Sequence, residues 1–184
     1  MPKEYTLRIA VASDLHCHAE TEKMPKDSFL LAGAMRHPPG KHPIQSLISL
    51  IRNQKITADA IVCPGDLANQ ICSRGMVQAW DHLREIEREM QCRHLLTTLG
   101  NHDVDSRKTH GSDAFGIARN FHPDFPHPDL AVKDSFWARG FYFVSDKTAG
   151  ADFVVLNTVV THTDEASANI SAFHQPTKRD VPSR

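Results

Sequence analysis

The chain has 184 residues, 40% of them hydrophobic and 23% charged, with a formal net charge of −1 at pH 7. That length suits a single domain with a real core, and near-neutrality removes the electrostatic footprint expected of a nucleic-acid or anionic-membrane binder. No run approaches the ~20 apolar residues of a membrane-spanning helix and the start lacks a signal-peptide core, so a cytoplasmic protein is expected.

Residues 6–13 (TLRIAVAS) are apolar and β-branched, as in a short buried strand, and they run into Asp14-Leu15-His16. Residues 19–41 carry Pro25, Gly33, Pro38, Pro39 and Gly40, which predicts an irregular loop. From Pro43 onward, Leu47, Ile48, Leu50 and Ile51 recur at helical spacing, with proline in the first turn and Arg52 and Lys55 near the end. Residues 59–64 form a second strand that stops at Gly65-Asp66. Met76, Trp80, Leu83, Ile86 and Met90 then mark one face of a second helix, and its charged residues Arg84, Glu85, Glu87, Arg88 and Glu89 read as a solvated face. Residues 94–99 form a third strand leading into Gly100-Asn101-His102-Asp103. Strands alternating with helices in this way favour a parallel sheet with right-handed crossovers.

Residues 104–133 are rich in His, Pro, Asp and Gly and predict a long loop with one helical turn at 113–119; His110, His122 and His127 read as solvated loop histidines. Residues 135–145 (SFWARGFYFVS) and 152–160 (DFVVLNTVV) predict paired antiparallel strands joined by a turn at Gly150, the start of a second sheet. A helix is expected to begin within 164–173, and residues 174–184 lack apolar periodicity, as in a frayed tail. The four cysteines, at 17, 63, 72 and 92, form no C-x-x-C pair and read as reduced thiols. Cys17, flanked by His16 and His18, has no second thiol nearby to make a zinc site.

Three strand ends therefore carry oxygen and nitrogen donors, and ligands of open α/β sheets bind outside the carboxyl ends of the strands. Asp14, His16 and Asp66 offer two carboxylates and an imidazole, and Asn101 adds a neutral carbonyl oxygen. A bridging carboxylate would leave His16 with one cation and Asn101 with another, and the mixed donor set suits Mn, Fe or Zn better than Mg or Ca. Two cations ~3.5 to 4 Å apart activate water and neutralise phosphoryl oxygens. His102 would then protonate a departing alkoxide, with Asp103 orienting its ring. Phosphate-cradling G-x-x-x-x-G-K and G-x-G-x-x-G motifs and a G-x-S-x-G nucleophile elbow are missing from the chain. Any one of these Asp or Asn residues alone would be read as a turn former; the ordered set would not.

In this order, and each after a strand, Asp14-Leu15-His16, Gly65-Asp66 and Gly100-Asn101-His102-Asp103 resemble the calcineurin-like metallophosphoesterase family, by motif over residues 7–103 and loosely over 152–158. The resemblance implies an α/β fold, a layered β-sandwich flanked by helices, with two divalent metal ions (Mn, Fe or Zn) and a phosphomonoester or phosphodiester substrate. By position, Asp14 and His16 would bind the first metal, Asp66 would bridge, Asn101 would bind the second, and His102 would be the proton donor with Asp103 as its partner. The pattern departs after Asp103: the family supplies a histidine after a late strand and then a G-H-x-H pair, whereas this chain has His162 and His174 without that motif. The expectation is one domain over residues 1–184 with an incomplete second half, sheet edges open to self-association, and loops 19–41 and 104–133 setting substrate choice. A non-catalytic scaffold on the same fold is the alternative.

Overall fold

The computed structural model describes residues 6–19, 30–32, 42–69, 71–104 and 114–159. Its centre is a parallel sheet of β1 (Ile9–Val11), β4 (Ala60–Cys63) and β5 (His94–Thr97) in the order β1-β4-β5. Ala60, Ile61 and Cys63 are fully buried, so the middle strand reads as a continuous apolar run, as strands covered on both faces do.

Helix α1 (Pro43–Gln54) starts with proline in its first turn and ends at Lys55, whose left-handed backbone (φ 51°) closes the last turn on the Ile51 carbonyl. Its buried stripe is Ile44, Ile48 and Ile51; Leu50, expected on that face, points outward. Helix α2 (Ser73–Met90) buries Met76, Trp80, Leu83 and Ile86 as the sequence spacing requires, each worth ~1.5–3 kcal/mol on transfer from water. A Cβ on Gly75 would collide with the Cys17 carbonyl, so glycine sets how closely the start of α2 approaches strand β2 (Cys17–Ala19). The charged face of α2 is less solvated than expected. Glu85 is buried 3.7 Å from Arg52, and Arg52 also bonds Glu89 at 2.6 Å, tying α1 to α2.

The loop expected over 19–41 contains a strand. Leu30–Ala32 (β3) pairs in parallel with β2. After His16 the chain stays extended because the Cys17 amide donates to the Leu67 carbonyl (2.9 Å) and the Cys17 carbonyl accepts from Asn69 (2.9 Å), so β2 follows the loop beyond β4.

The short helix expected near 113–119 is α3 (Ala114–Arg119). Residues 135–139, expected as strand, belong instead to helix α4 (Leu130–Arg139). Asp129 caps it by accepting from Ala131 (2.8 Å) and Val132 (3.4 Å), and Gly140 (φ 74°) ends it, so punctuation outweighs the aromatic content. Strands β6 (Phe141–Asp146) and β7 (Ala151–Leu156) form the expected antiparallel hairpin around a turn at Gly150.

The hairpin is fastened to the main sheet at both ends. Tyr142 donates to the Thr97 carbonyl (3.0 Å) and accepts from the Thr97 amide (2.9 Å). Arg93 reaches Asp59 at 2.9 Å and Asp146 at 2.6 Å, and its guanidinium holds the Asp146 carboxyl down at about 2. Trp80, Phe121, Phe125 and Phe136 fill the space beneath α4 with ring centroids 5.2–5.9 Å apart. The outer hairpin face exposes Phe143, Val154 and Leu156, and β1 exposes Ile9 and Val11. Among the described residues, no helix is long and apolar enough to cross a membrane. His110, His162 and His174, the helix expected in 164–173 and the tail at 174–184 lie outside the described residues.

Candidate metal centre

Parallel pairing brings the carboxyl ends of β1, β4 and β5 to one side, and each end turns sharply. Asp14, His16 and Asp66 all take left-handed backbone, with φ of 56°, 45° and 55°. Such geometry costs a non-glycine residue about 1–3 kcal/mol and gathers where a site over-determines it. It persists here because the turns are laced together: the His16 amide donates to the Asp66 carbonyl at 3.0 Å and the Ala12 amide to Val62 at 3.0 Å.

The result is a convergent donor set. One ligand atom from each of Asp14, His16 and Asp66 lies within 4.8 Å of the others, and His16 Nε2 stands 3.7 Å from Asp14 Oδ1. The Asp14 side chain is 63% exposed and the His16 side chain 23%, so the group opens to solvent on one side. Ser13 Oγ donates to Asp14 Oδ2, which leaves Oδ1 facing His16.

Two glycines make room for this arrangement. Gly65 (φ 119°) and Gly100 lie backbone against backbone: a Cβ on Gly65 would meet the Leu99 and Gly100 main chain, and a Cβ on Gly100 would meet the Asp66 carboxylate and amide. The Asp66 carboxylate thus rests in a hollow that a side chain would fill, and its Oδ1 accepts the His102 amide at 2.9 Å.

Asn101 opens a 3-10 turn, Asn101–Asp103, with an exposed side chain one residue beyond the glycine that touches Asp66. The His102 ring is half-buried and meets the His16 ring edge-on, centroids 4.6 Å apart, so the expected proton donor stands beside the cluster. Asp103 takes a different place from the one expected. Its fully buried carboxylate accepts from the Ala68 amide at Oδ1 (2.7 Å) and from the Gly100 amide at Oδ2 (2.9 Å) rather than from the His102 ring. Burial pushes this carboxyl up to about 6, against the opposing pull of the amides. It clamps the loop after β4 to the turn after β5.

Cys17 is fully buried, and burial pushes its thiol up to about 12, so it packs as a neutral group. All four cysteines are free. His127 accepts from the Asp129 amide at 3.1 Å at the start of α4, and burial lowers its pKa; His122 is exposed. Ser13 and Ile71, whose amide reaches the His102 carbonyl at 2.9 Å, are contributors that motif reading passes over. A serine next to Asp14 at a strand end is a visible signal; nothing in the sequence marks Ile71.

The donor chemistry fits a divalent cation: two carboxylates and one imidazole converge from two turns, each residue held in a strained conformation, around a hollow kept open by glycine. The family model described as calcineurin-like phosphoesterase matches residues 7–180. No curated protein and no solved structure matches the chain.

Proposed function

The chain belongs to the calcineurin-like phosphoesterase family, and from that premise we propose that it hydrolyses phosphate esters at the Asp14–His16–Asp66 cluster. Asp14, His16 and Asp66 would hold one divalent cation, and Asp66 together with the side-chain oxygen of Asn101 would hold a second. Mn, Fe and Zn suit this mixture of oxygen and nitrogen. Such cations, when bound, acidify a water nucleophile and neutralise phosphoryl oxygens.

The remaining work falls to the protein. His102, its ring 4.6 Å from that of His16, delivers a proton to the leaving alkoxide oxygen on the side of the phosphorus away from the attacking water. Asp66 fixes the His102 backbone by accepting its amide, so the same carboxylate serves the cluster and places the donor. Asp103, spent on the Ala68 and Gly100 amides, maintains the spacing between the two ligand-bearing loops.

The observation that carries this reading is the convergence of three donors from two strand ends, every one at a positive φ that the fold would otherwise relax. The test is turnover of p-nitrophenyl phosphate and bis-p-nitrophenyl phosphate with added Mn²⁺, by the purified chain and by its Asp14→Asn and His16→Ala variants. Metal-dependent turnover lost in both variants supports the proposal. Turnover that survives chelation and both substitutions refutes it.

A further inference from the structure

Among the described residues, the non-glycine positions with positive φ sort themselves by purpose, with one exception. Lys55 and Gln91 close the C-termini of α1 and α2, and Asp14, His16 and Asp66 form the donor cluster. The exception is Ile71, at φ 63°. A β-branched side chain is among the least suited to that region, and neither a helix C-terminus nor a hairpin asks for it here.

What the conformation accomplishes is visible in its hydrogen bond. The Ile71 amide donates to the His102 carbonyl at 2.9 Å, while the His102 amide donates to Asp66 Oδ1, also at 2.9 Å. The backbone of the residue carrying the half-buried imidazole is thus gripped on both sides, once by the donor cluster and once by Ile71. The Ile71 side chain is itself partly buried against the core, which holds the strained residue in place.

We infer that Ile71 is a positioning residue for the proton-transfer step, its left-handed backbone aiming an amide at His102 so that the imidazole stays against the cluster. The inference rests on the phosphoesterase reading above, in which His102 protonates the leaving group.

Ile71→Ala and Ile71→Gly separate this role from packing. Both remove the side chain, but only glycine takes φ > 0 without a Cβ penalty. Turnover is compared on a phenyl phosphate, whose leaving group needs a proton, and on p-nitrophenyl phosphate, whose leaving group scarcely does. The ratio of the two rates should fall about three- to tenfold in Ile71→Ala, the worth of one hydrogen bond, and recover in Ile71→Gly. The imidazole NMR signals of His102 should move in the alanine variant and return in the glycine variant. Equal ratios in the two variants, or a lower ratio in Ile71→Gly than in Ile71→Ala, would overturn the inference. If the unsubstituted chain turns over neither ester, the phosphoesterase reading fails by itself. The placement of His102 by Ile71 is then decided by the imidazole signals alone, and unmoved signals in Ile71→Ala reject it.

Discussion

Replacing Gly100 by alanine should damage the cluster although none of its donors is substituted. The added Cβ would sit 2.7 Å from Asp66 Cγ and closer still to its Oδ1 and amide nitrogen. Asp66 has little room to retreat, because its Oδ1 is engaged by the His102 amide at 2.9 Å and its carbonyl by the His16 amide at 3.0 Å. Nor can Gly100 back away, because a Cβ on Gly65 would already fall 2.7 Å from the Leu99 carbonyl carbon, so the two main chains are in contact. Overpacking of this kind costs about 1–3 kcal/mol, and a strained or broken bond to a charged acceptor adds about 1.5–3 kcal/mol. At about 2–4 °C per kcal/mol for a chain of this size, the melting temperature should fall by roughly 5–20 °C. Displacing Asp66 should also weaken Mn²⁺ binding by at least about tenfold. Gly150→Ala is the control: its Cβ meets open space, its φ of 63° limits the cost to about 1–2 kcal/mol, and metal binding should not change. Thermal melts followed by circular dichroism, alongside Mn²⁺ titrations, read both effects. A Gly100→Ala protein that melts within about 1 °C of the unsubstituted chain and binds Mn²⁺ equally well would refute the packing argument.

Three further outcomes are expected. His102→Ala should keep its metal content but lose about 10²–10⁴-fold in turnover of esters with poor leaving groups and far less on nitrophenyl esters; equal losses on both would remove His102 from the proton-donor role. Ser13→Ala frees Asp14 Oδ2 and should weaken Mn²⁺ binding by about tenfold, with Ser13→Thr restoring it, whereas identical isotherms for all three proteins would make the Ser13 contact incidental. Because Arg93 holds the Asp146 carboxyl at about 2, below its unfolded value of about 4, its stabilisation is complete above pH ~4 and is lost as pH falls through ~2. Asp146→Asn should flatten that part of the urea-stability curve, and an unchanged acid slope would contradict the assignment.

How much of the molecule is legible in its sequence depends on the range of the interactions involved. The central sheet, both long helices and the order of the donors are legible because they rest on local periodicity and on motifs at strand ends. The start of α4 is not, because an aromatic run resembles a strand, while the decisive signals are the single residues Asp129 and Gly140 at its ends. β3 is only three residues long, and its pairing with β2 is set by contacts with the loop after β4, which no local pattern encodes. In the site, adjacency along the chain misleads: Asp103 follows His102, but the 3-10 turn sends its carboxylate inward to Ala68 and Gly100. Ile71 leaves no trace in the sequence, because its role lies in its amide and its φ, with the side chain only anchoring the residue against the core.

The most direct test of the central claim is isothermal titration of the purified chain with Mn²⁺, with metal content counted by elemental analysis, beside Asp14→Asn, His16→Ala, Asp66→Asn and Asn101→Ala. Asp14→Asn and His16→Ala should each weaken the tighter site by at least about tenfold, Asn101→Ala should affect only the weaker one, and Asp66→Asn should lower occupancy of both. An Asp66→Asn protein that retains its full complement of metal would contradict the account.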